Sequence, residues 1–247
     1  MGESDPLEIG VLALQGDVSA HVNALQTLGT TVRYVRSPRD LEGLSGIILP
    51  GGESTTLSML LESSGIFDSL ASALGEGMAA FGTCAGLILL STQVADGRAD
   101  QRSFGAIDCT VRRNGYGRQL QSFQKDIDLI GAIRDRDQLN WKKECRETPN
   151  PDSSCLGQQA NGEPNNPTVA AAHECFPGIF IRAPVIVSVG AGVEVLGVLD
   201  NDDKLGGTPV LCSQGNILVS SFHPELTSNT RIHRYFLEMV HRSRVWT

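Results

Sequence analysis

Residues 78–90 read MAAFGTCAGLILL, and this stretch carries the strongest signal for the fold. Its first four apolar residues predict a buried strand, and its last four predict a helix. Between them, Gly82 and Gly86 flank Cys84 in the G-x-nucleophile-x-G pattern of a tight strand-to-helix turn. Such a turn holds its nucleophile at the carboxyl edge of an α/β sheet. The stretch therefore predicts an α/β fold with a cysteine nucleophile; the alternative is a buried structural cysteine between packing glycines.

Short apolar strands alternate with helices through the first half of the chain, which indicates βαβ units and a parallel sheet. These strands are predicted at 8–14, 31–35, 46–49 and 78–81, and the helices at 18–28, 55–61, 66–74 and 87–90. Further short strands in the second half, expected to extend the sheet as antiparallel members, are 110–113, 121–123, 179–181, 185–189, 193–199, 209–212 and 217–222. A last helix carries an apolar stripe typical of core packing: Ile232, Tyr235, Phe236, Met239 and Val240. We therefore predict three layers, with an open, mostly parallel sheet, helices on both faces, and antiparallel strands in the second half.

Residues 134–176 fit neither pattern, because they are rich in Pro, Asn, Gln, Asp and Glu. A structureless loop of this length is uncommon inside a compact domain, and it is usually functional or disordered. We interpret it as a mobile surface insertion in a single domain that spans residues 1–247. Its potential metal ligands include no CxxC pair and follow no common zinc-site spacing: Cys145, Cys155, His173 and Cys175. We therefore predict no metal and no cofactor.

The composition argues against several classes of partner. The net charge of −8 and the lack of a basic stripe in the sequence disfavour nucleic acid and anionic membrane surfaces. No apolar run approaches the roughly 18–20 residues of a membrane-spanning helix. Six scattered cysteines are too few for a disulfide scaffold. We expect a cytoplasmic protein with reduced thiols and without nucleic-acid or membrane partners.

A cysteine nucleophile needs a base, and the segment SFHPELT at 221–227 offers one. His223 follows an apolar strand, and in an extended segment residues i and i+2 point the same way, so Glu225 is expected to face the same site. Pro224 stiffens the backbone between them. A carboxylate beside an imidazole fixes its tautomer and stabilises the imidazolium. A strand-ending turn is the alternative for this segment alone, but the cysteine turn favours a Cys84–His223–Glu225 triad.

A third segment, LPGGESTT at 49–56, follows another predicted strand. Its paired glycines let backbone N–H groups approach a ligand closely, as an oxyanion hole requires. Ala85, at the start of the helix after Cys84, offers a second N–H to a developing oxyanion. A phosphate cradle or a plain helix cap is the alternative, although the chain lacks both G-x-x-x-x-G-K-[ST] and G-x-G-x-x-G.

Together these segments resemble the class I, or triad, glutamine amidotransferases, and more narrowly the glutaminase subunits of pyridoxal 5′-phosphate synthase. The resemblance covers most of the chain outside the insertion. Six blocks carry it in the family's order: IGVLALQGDVSAHVNAL, ILPGGESTT, FGTCAGLILL, VRRNGYGRQLQSF, FIRAPV and SFHPELT. The cysteine turn and His-Pro-Glu are shared by the whole superfamily, whereas GGESTT, the GRQ block and FIRAP are specific to this subunit. The departures are Tyr116, where the family usually has Phe, and the insertion.

The resemblance implies a role for each matching residue. Cys84 would be the nucleophile, His223 the general base and acid, and Glu225 the group that orients His223. Gly52 and Ala85 would supply the oxyanion-hole amides. Glutamine would be held by Gly52, Glu53, Ser54, Arg118, Ile181 and Arg182. These charges suit an amino acid, because a carboxylate can pair with its α-ammonium and a guanidinium with its α-carboxylate.

The resemblance also implies an activity and a partner. The chain would hydrolyse glutamine through a γ-glutamyl thioester and pass the ammonia to a barrel-shaped synthase subunit that builds pyridoxal 5′-phosphate. Activity in this family typically depends on that subunit. Three alternatives stay open: a triad glutaminase that serves another synthase, a cysteine hydrolase that acts on peptides or small amides, and a non-catalytic regulatory pseudo-glutaminase.

Overall fold

The computed structural model describes residues 7–98, 101–116, 122–131, 133, 175–199 and 205–245. Of the predicted insertion, only Cys175 and Phe176 belong to these residues. Its mobility therefore stays a prediction, as does the single domain over 1–247. Arg118 also lies outside the described residues.

The bounds of the elements agree with the sequence prediction through most of the first half. The strands are β1 Glu8–Leu12, β2 Thr31–Val35, β3 Gly46–Leu49, β4 Ala79–Thr83, β5 Ser91–Val94, β6 Ile107–Arg112, β7 Ser122–Leu129, β8 Phe176–Ile181, β9 Val185–Val189, β10 Glu194–Leu199, β11 Pro209–Gln214 and β12 Ile217–Ser220. The helices are α1 Val18–Thr27, α2 Ser54–Ser63, α3 Ile66–Gly75, α4 Ala85–Leu90 and α5 Arg231–Val245. Short 3-10 helices occur at Pro38–Leu41 and Pro224–Leu226.

The central sheet has nine described strands in the order β2-β1-β3-β4-β12-β11-β10-β7-β8. The strands from β2 to β12 pair in parallel, and those from β12 to β8 pair antiparallel. The direction changes at the β11–β12 hairpin, where Gly215 adopts a φ of 56° that favours glycine. The α/β class with antiparallel strands in the second half is confirmed, although the antiparallel share of the sheet is larger than the sequence indicated.

Two of the predicted second-half strands do not extend this sheet. Strands β6 and β9 pair with each other and with β5, a strand that the sequence did not indicate, in a separate three-stranded sheet. Strand β6 buries alternate side chains, Ile107, Cys109 and Val111. These pack in one cluster with Cys212 and Val219 of the central sheet. The small sheet therefore covers the central one as a layer, and the expectation that all these strands extend a single sheet is wrong.

Each face of the central sheet has its own apolar core. Ile48 belongs to one cluster, whereas Ile47 and Leu49 belong to the other, as the alternation of side chains along a strand requires. Helices α1 and α5 pack on the first face, and the predicted stripe of α5 is buried there. Helices α2, α3 and α4 pack on the second face with the small sheet. This arrangement confirms three layers with helices on both faces.

Among the described residues, none of the helices combines the length and apolar character that crossing a membrane requires.

Candidate active site

The cysteine turn forms as the sequence predicts. Strand β4 ends at Thr83, Cys84 follows, and α4 begins at Ala85. Cys84 has φ 50° and ψ −99°, a conformation that costs a residue with a side chain about 1–3 kcal/mol. Its N–H donates to the carbonyl oxygen of Ser220 at 2.9 Å, which anchors the turn to β12. A strained residue held in this way at a strand end indicates a functional position.

The glycines on either side of Cys84 have a steric reason. A Cβ on Gly82 would lie 2.6 Å from the carbonyl carbon of Gly86. A Cβ on Gly86 would lie 2.1 Å from the carbonyl oxygen of Leu49 in β3. Neither contact can be relieved by rotating a side chain, because the obstructing atoms are backbone atoms. The pattern around Cys84 therefore lets α4 pack directly on β3 and β4.

His223 and Glu225 meet as predicted, but through a different backbone conformation. The Nδ1–H of His223 donates to Oε1 of Glu225 at 2.7 Å, and both side chains are buried. Pro224–Leu226 is a 3-10 helix, so the segment is not the extended one that the sequence analysis assumed. The residue after Pro224 turns back toward the imidazole, because proline favours the first position of such a turn.

The imidazole of His223 also lies beside Cys84. A Cβ on Gly51 would lie 2.4 Å from Cε1 of His223 and 3.4 Å from Cβ of Cys84, so both residues pack against this glycine. Burial by itself would lower the pKa of His223, but hydrogen bonds with Cys84 and Glu225 raise that pKa to about 10. Burial would raise the pKa of Glu225, but the facing His21 and the hydrogen bond from His223 lower it. The site therefore favours an imidazolium next to the thiol, the partner that cysteine nucleophiles use in proteins.

These residues open into a cavity of about 340 Å³ at the carboxyl ends of the parallel strands. Its size is at the lower end of the range for small-molecule sites, about 300–1,000 Å³. The lining is Gln15, Gly16, Asp17, Gly51, Gly52, Glu53, Ser54, Cys84, Ile88, Arg113, Asn114, Ile181, Arg182, His223 and Leu226. The predicted substrate residues within the described chain therefore all border one cavity. Ala85 is not part of the lining, but it directly follows Cys84 as the first residue of α4.

The carboxylate of Glu53 is already occupied by protein groups. It caps α2, since Oε2 accepts from the N–H of Thr56 at 2.7 Å and Oε1 from the N–H of Thr55 at 3.2 Å. Partial burial would raise the pKa of Glu53, but these hydrogen bonds lower it. Arg113 adds an ion pair at 3.4 Å. A pairing of Glu53 with a substrate ammonium would compete with these contacts.

Two residues that contact the Glu53 segment at the cavity were not among the predicted site residues. Arg113 borders it and holds Glu53 and Thr55, whereas the predicted Arg118 lies outside the described residues. The side-chain oxygen of Gln15 accepts from the N–H of Glu53 at 3.2 Å and packs against Gly52. Both residues belong to blocks that carry the family resemblance. The block VRRNGYGRQLQSF has three arginines, and nothing in the sequence alone distinguishes the one that faces a site.

Three of the four potential metal ligands in the insertion, Cys145, Cys155 and His173, lie outside the described residues. Within the described part of the chain, no group of three or more His, Cys, Asp or Glu side chains is arranged to hold a metal ion.

Comparison with known proteins identifies the family of this chain. The sequence profile of the SNO glutamine amidotransferase family matches residues 11–139 and 152–242. The pyridoxal 5′-phosphate synthase subunit PdxT of Salinispora tropica is 39% identical, with 94% of this chain and 96% of the relative covered. The PdxT subunit of Clavibacter michiganensis is 41% identical over 94% of this chain and 90% of the relative. A crystal structure of a glutamine amidotransferase matches with a TM-score of 0.71 at 39% identity, covering 94% of this chain and 98% of its own. The resemblance found in the sequence is confirmed, and this chain belongs to the SNO glutamine amidotransferase family.

Proposed function

We propose that this chain hydrolyses glutamine to glutamate and ammonia, and that it supplies the ammonia to a synthase subunit that makes pyridoxal 5′-phosphate. The observation that carries the chemistry is the strained Cys84 beside a His223–Glu225 pair joined at 2.7 Å, at the border of one cavity. The names of the relatives support the synthase as partner. A cytoplasmic location stays a prediction from the composition.

The proposed reaction uses the triad in two stages. The sulfur of Cys84 attacks the side-chain carbonyl carbon of glutamine and forms a tetrahedral intermediate. His223 gives its proton to the departing nitrogen, so ammonia leaves and a γ-glutamyl thioester remains. His223 then takes a proton from water, whose oxygen attacks the thioester and releases glutamate and the thiol. Glu225 keeps the imidazole oriented and stabilises its charged form.

We assign the oxyanion hole to the N–H groups of Gly52 and Ala85. The N–H of Ala85 has no partner within its own helix, because it is the first residue of α4, and it lies next to the nucleophile. Gly52 borders the cavity with a φ of 156° on the loop after β3. Two N–H groups in such positions match the charge that develops on the carbonyl oxygen.

Cationic and neutral groups at the rim suit the amino-acid end of glutamine. Arg113 and Arg182 provide guanidinium groups for the α-carboxylate. The carbonyl oxygen of Ile181, 3.9 Å from the sulfur of Cys84, can accept from the substrate's amide or ammonium. Ser54 is buried beside the same loop, and Arg118 remains a predicted contributor.

A glutaminase assay with and without the pyridoxal 5′-phosphate synthase subunit tests this function. We expect ammonia release that the synthase subunit stimulates and that Cys84→Ala abolishes without loss of synthase binding. Glutaminase activity without any response to this subunit would favour a triad glutaminase that serves another synthase. Synthase binding without glutamine turnover would favour a regulatory pseudo-glutaminase.

A further inference from the structure

A buried polar cluster of two histidines lies beside Glu225. His21 of α1 and His233 of α5 are fully buried, and Nδ1 of His21 lies 3.0 Å from Nε2 of His233. The other ring nitrogen of His21, Nε2, lies 3.2 Å from the hydroxyl of Thr83 and 3.5 Å from Oε1 of Glu225. The same carboxylate oxygen accepts from His223. Two histidines from different helices therefore converge on one catalytic carboxylate.

The partners of the ring nitrogens indicate which of them carry protons. Nδ1 of His233 has no hydrogen-bond partner among the described residues, and a buried N–H without an acceptor is rarer than a buried acceptor without a donor. We therefore assign the proton of His233 to Nε2, which donates to Nδ1 of His21. His21 then carries its own proton on Nε2, and this N–H donates to the hydroxyl oxygen of Thr83 at 3.2 Å and lies 3.5 Å from Oε1 of Glu225. The assignment therefore places a second N–H, besides that of His223, next to the Glu225 carboxylate.

The charges around the cluster agree with neutral rings. Burial lowers the pKa of His21, and the positive charge of His223 lowers it further, while Glu225 and Asp17 act in the opposite direction. Burial and the neighbouring His21 lower the pKa of His233 to about 3. Two neutral imidazoles thus present a dipole to Glu225 without adding a second buried cation.

We propose that His21 is a positioning residue, whose Nε2–H holds the ionised carboxylate of Glu225 in place for His223 and whose tautomer is fixed by His233. The proposal rests on the triad function above and adds a fourth and a fifth side chain to it. Glu225 is the triad side chain that His21 approaches, so we expect His21 to act on the reaction mainly through this carboxylate. Thr83 precedes Cys84, so the cluster also joins α1 to the strand end that carries the nucleophile.

The proposal predicts different results for two substitutions of similar size. His21→Leu removes the donor, whereas His21→Gln keeps an N–H near the position of Nε2. In the complex with the synthase subunit, we expect His21→Leu to lower kcat about tenfold to a hundredfold, the usual effect of removing a hydrogen bond to a charged group, with little change in KM for glutamine. His21→Gln is expected to recover most of this loss.

The pH profile separates positioning from packing. Without the donor, the pKa of Glu225 rises, so the acid limb of the kcat profile moves to higher pH in His21→Leu and stays near the wild-type position in His21→Gln. Equal losses in both variants with an unmoved acid limb would refute the proposal. If His21→Leu does not fold, His233→Phe serves instead, because it leaves the tautomer of His21 unfixed. We expect His233→Phe to move the acid limb in the same direction. An unmoved acid limb in this variant would also refute the proposal.

Glu225→Gln distinguishes this proposal from the proposed function. If Glu225→Gln retained wild-type glutaminase activity, the triad itself would be wrong. If Glu225→Gln were inactive while His21→Leu matched the wild type in rate and pH profile, only the role of His21 would fall.

Discussion

Gly51 limits where the imidazole of His223 can lie, and its substitution by alanine gives a quantitative prediction. A Cβ on Gly51 would lie 2.4 Å from Cε1 of His223, whereas an ordinary contact begins at 3.4 Å. The ring must therefore move by about 1 Å, because 3.4 − 2.4 = 1.0. We expect a movement of this size to disturb the 2.7 Å hydrogen bond with Glu225 and the contact with Cys84. A displacement of about 1 Å in a catalytic group costs on the order of a hundredfold in rate.

Steady-state glutaminase kinetics of the complex with the synthase subunit measure this effect. We expect Gly51→Ala to lower kcat about a hundredfold, which corresponds to about 2.7 kcal/mol in the activation free energy. Gly75→Ala is the matched control, because a Cβ at the end of α3 would meet no heavy atom within 4 Å. Thermal unfolding of both variants shows that each is folded at the assay temperature. Equal kcat values for the two variants would refute the placement of His223 against Gly51.

Three further predictions concern the turn, the imidazolium and the cavity rim. Gly86→Ala is expected to lower the unfolding temperature strongly, because its Cβ would lie 2.1 Å from the Leu49 carbonyl oxygen; unfolding like the wild type would contradict the packing of α4 on β3. The pKa of His223 is raised from 6.5 to about 10, so its contribution to stability is complete below pH 6.5 and is lost as the pH rises toward 10. In chemical denaturation, the stability difference between wild type and His223→Gln should therefore shrink across that range, and a difference that grew with pH would oppose the assignment. Arg113→Gln is expected to raise KM for glutamine about tenfold, because Arg113 borders the cavity. Arg112→Gln is the control and should leave KM unchanged, because the neighbouring Arg112 is exposed. Equal KM values for the two variants would remove Arg113 from the substrate site.

The sequence predicted best those features in which contacts between neighbouring residues allow only a few residue types at a position. Around Cys84, backbone atoms exclude any side chain at both flanking glycines, so the turn is visible in the sequence as a pattern. His223 and Glu225 could be predicted because they are two positions apart in the chain, and at that spacing their side chains can meet in more than one backbone conformation. The 3-10 helix at Pro224–Leu226 changed the conformation but kept the pair.

Features that depend on distant packing were not visible in the sequence. In sequence, β6 and β9 resemble the strands of the central sheet. Only their packing over Cys212 and Val219 places them in a second sheet. His21 received no role from the sequence, because its partners lie 62, 204 and 212 residues away at Thr83, Glu225 and His233. Arg113 was not predicted for a similar reason. Its position at the cavity depends on the backbone conformation at the end of β6, which the sequence does not indicate.

The identity of the nucleophile is the central claim, and labelling with a glutamine analogue that carries an electrophilic side chain tests it most directly. Cys109 and Cys212 are internal controls, because both are free thiols that lie buried away from the cavity. Mass spectrometry of the complex with the synthase subunit should find one equivalent of label on Cys84, with protection by glutamine and no labelling of Cys84→Ala. Label on another cysteine, or unchanged labelling of Cys84→Ala, would contradict the account.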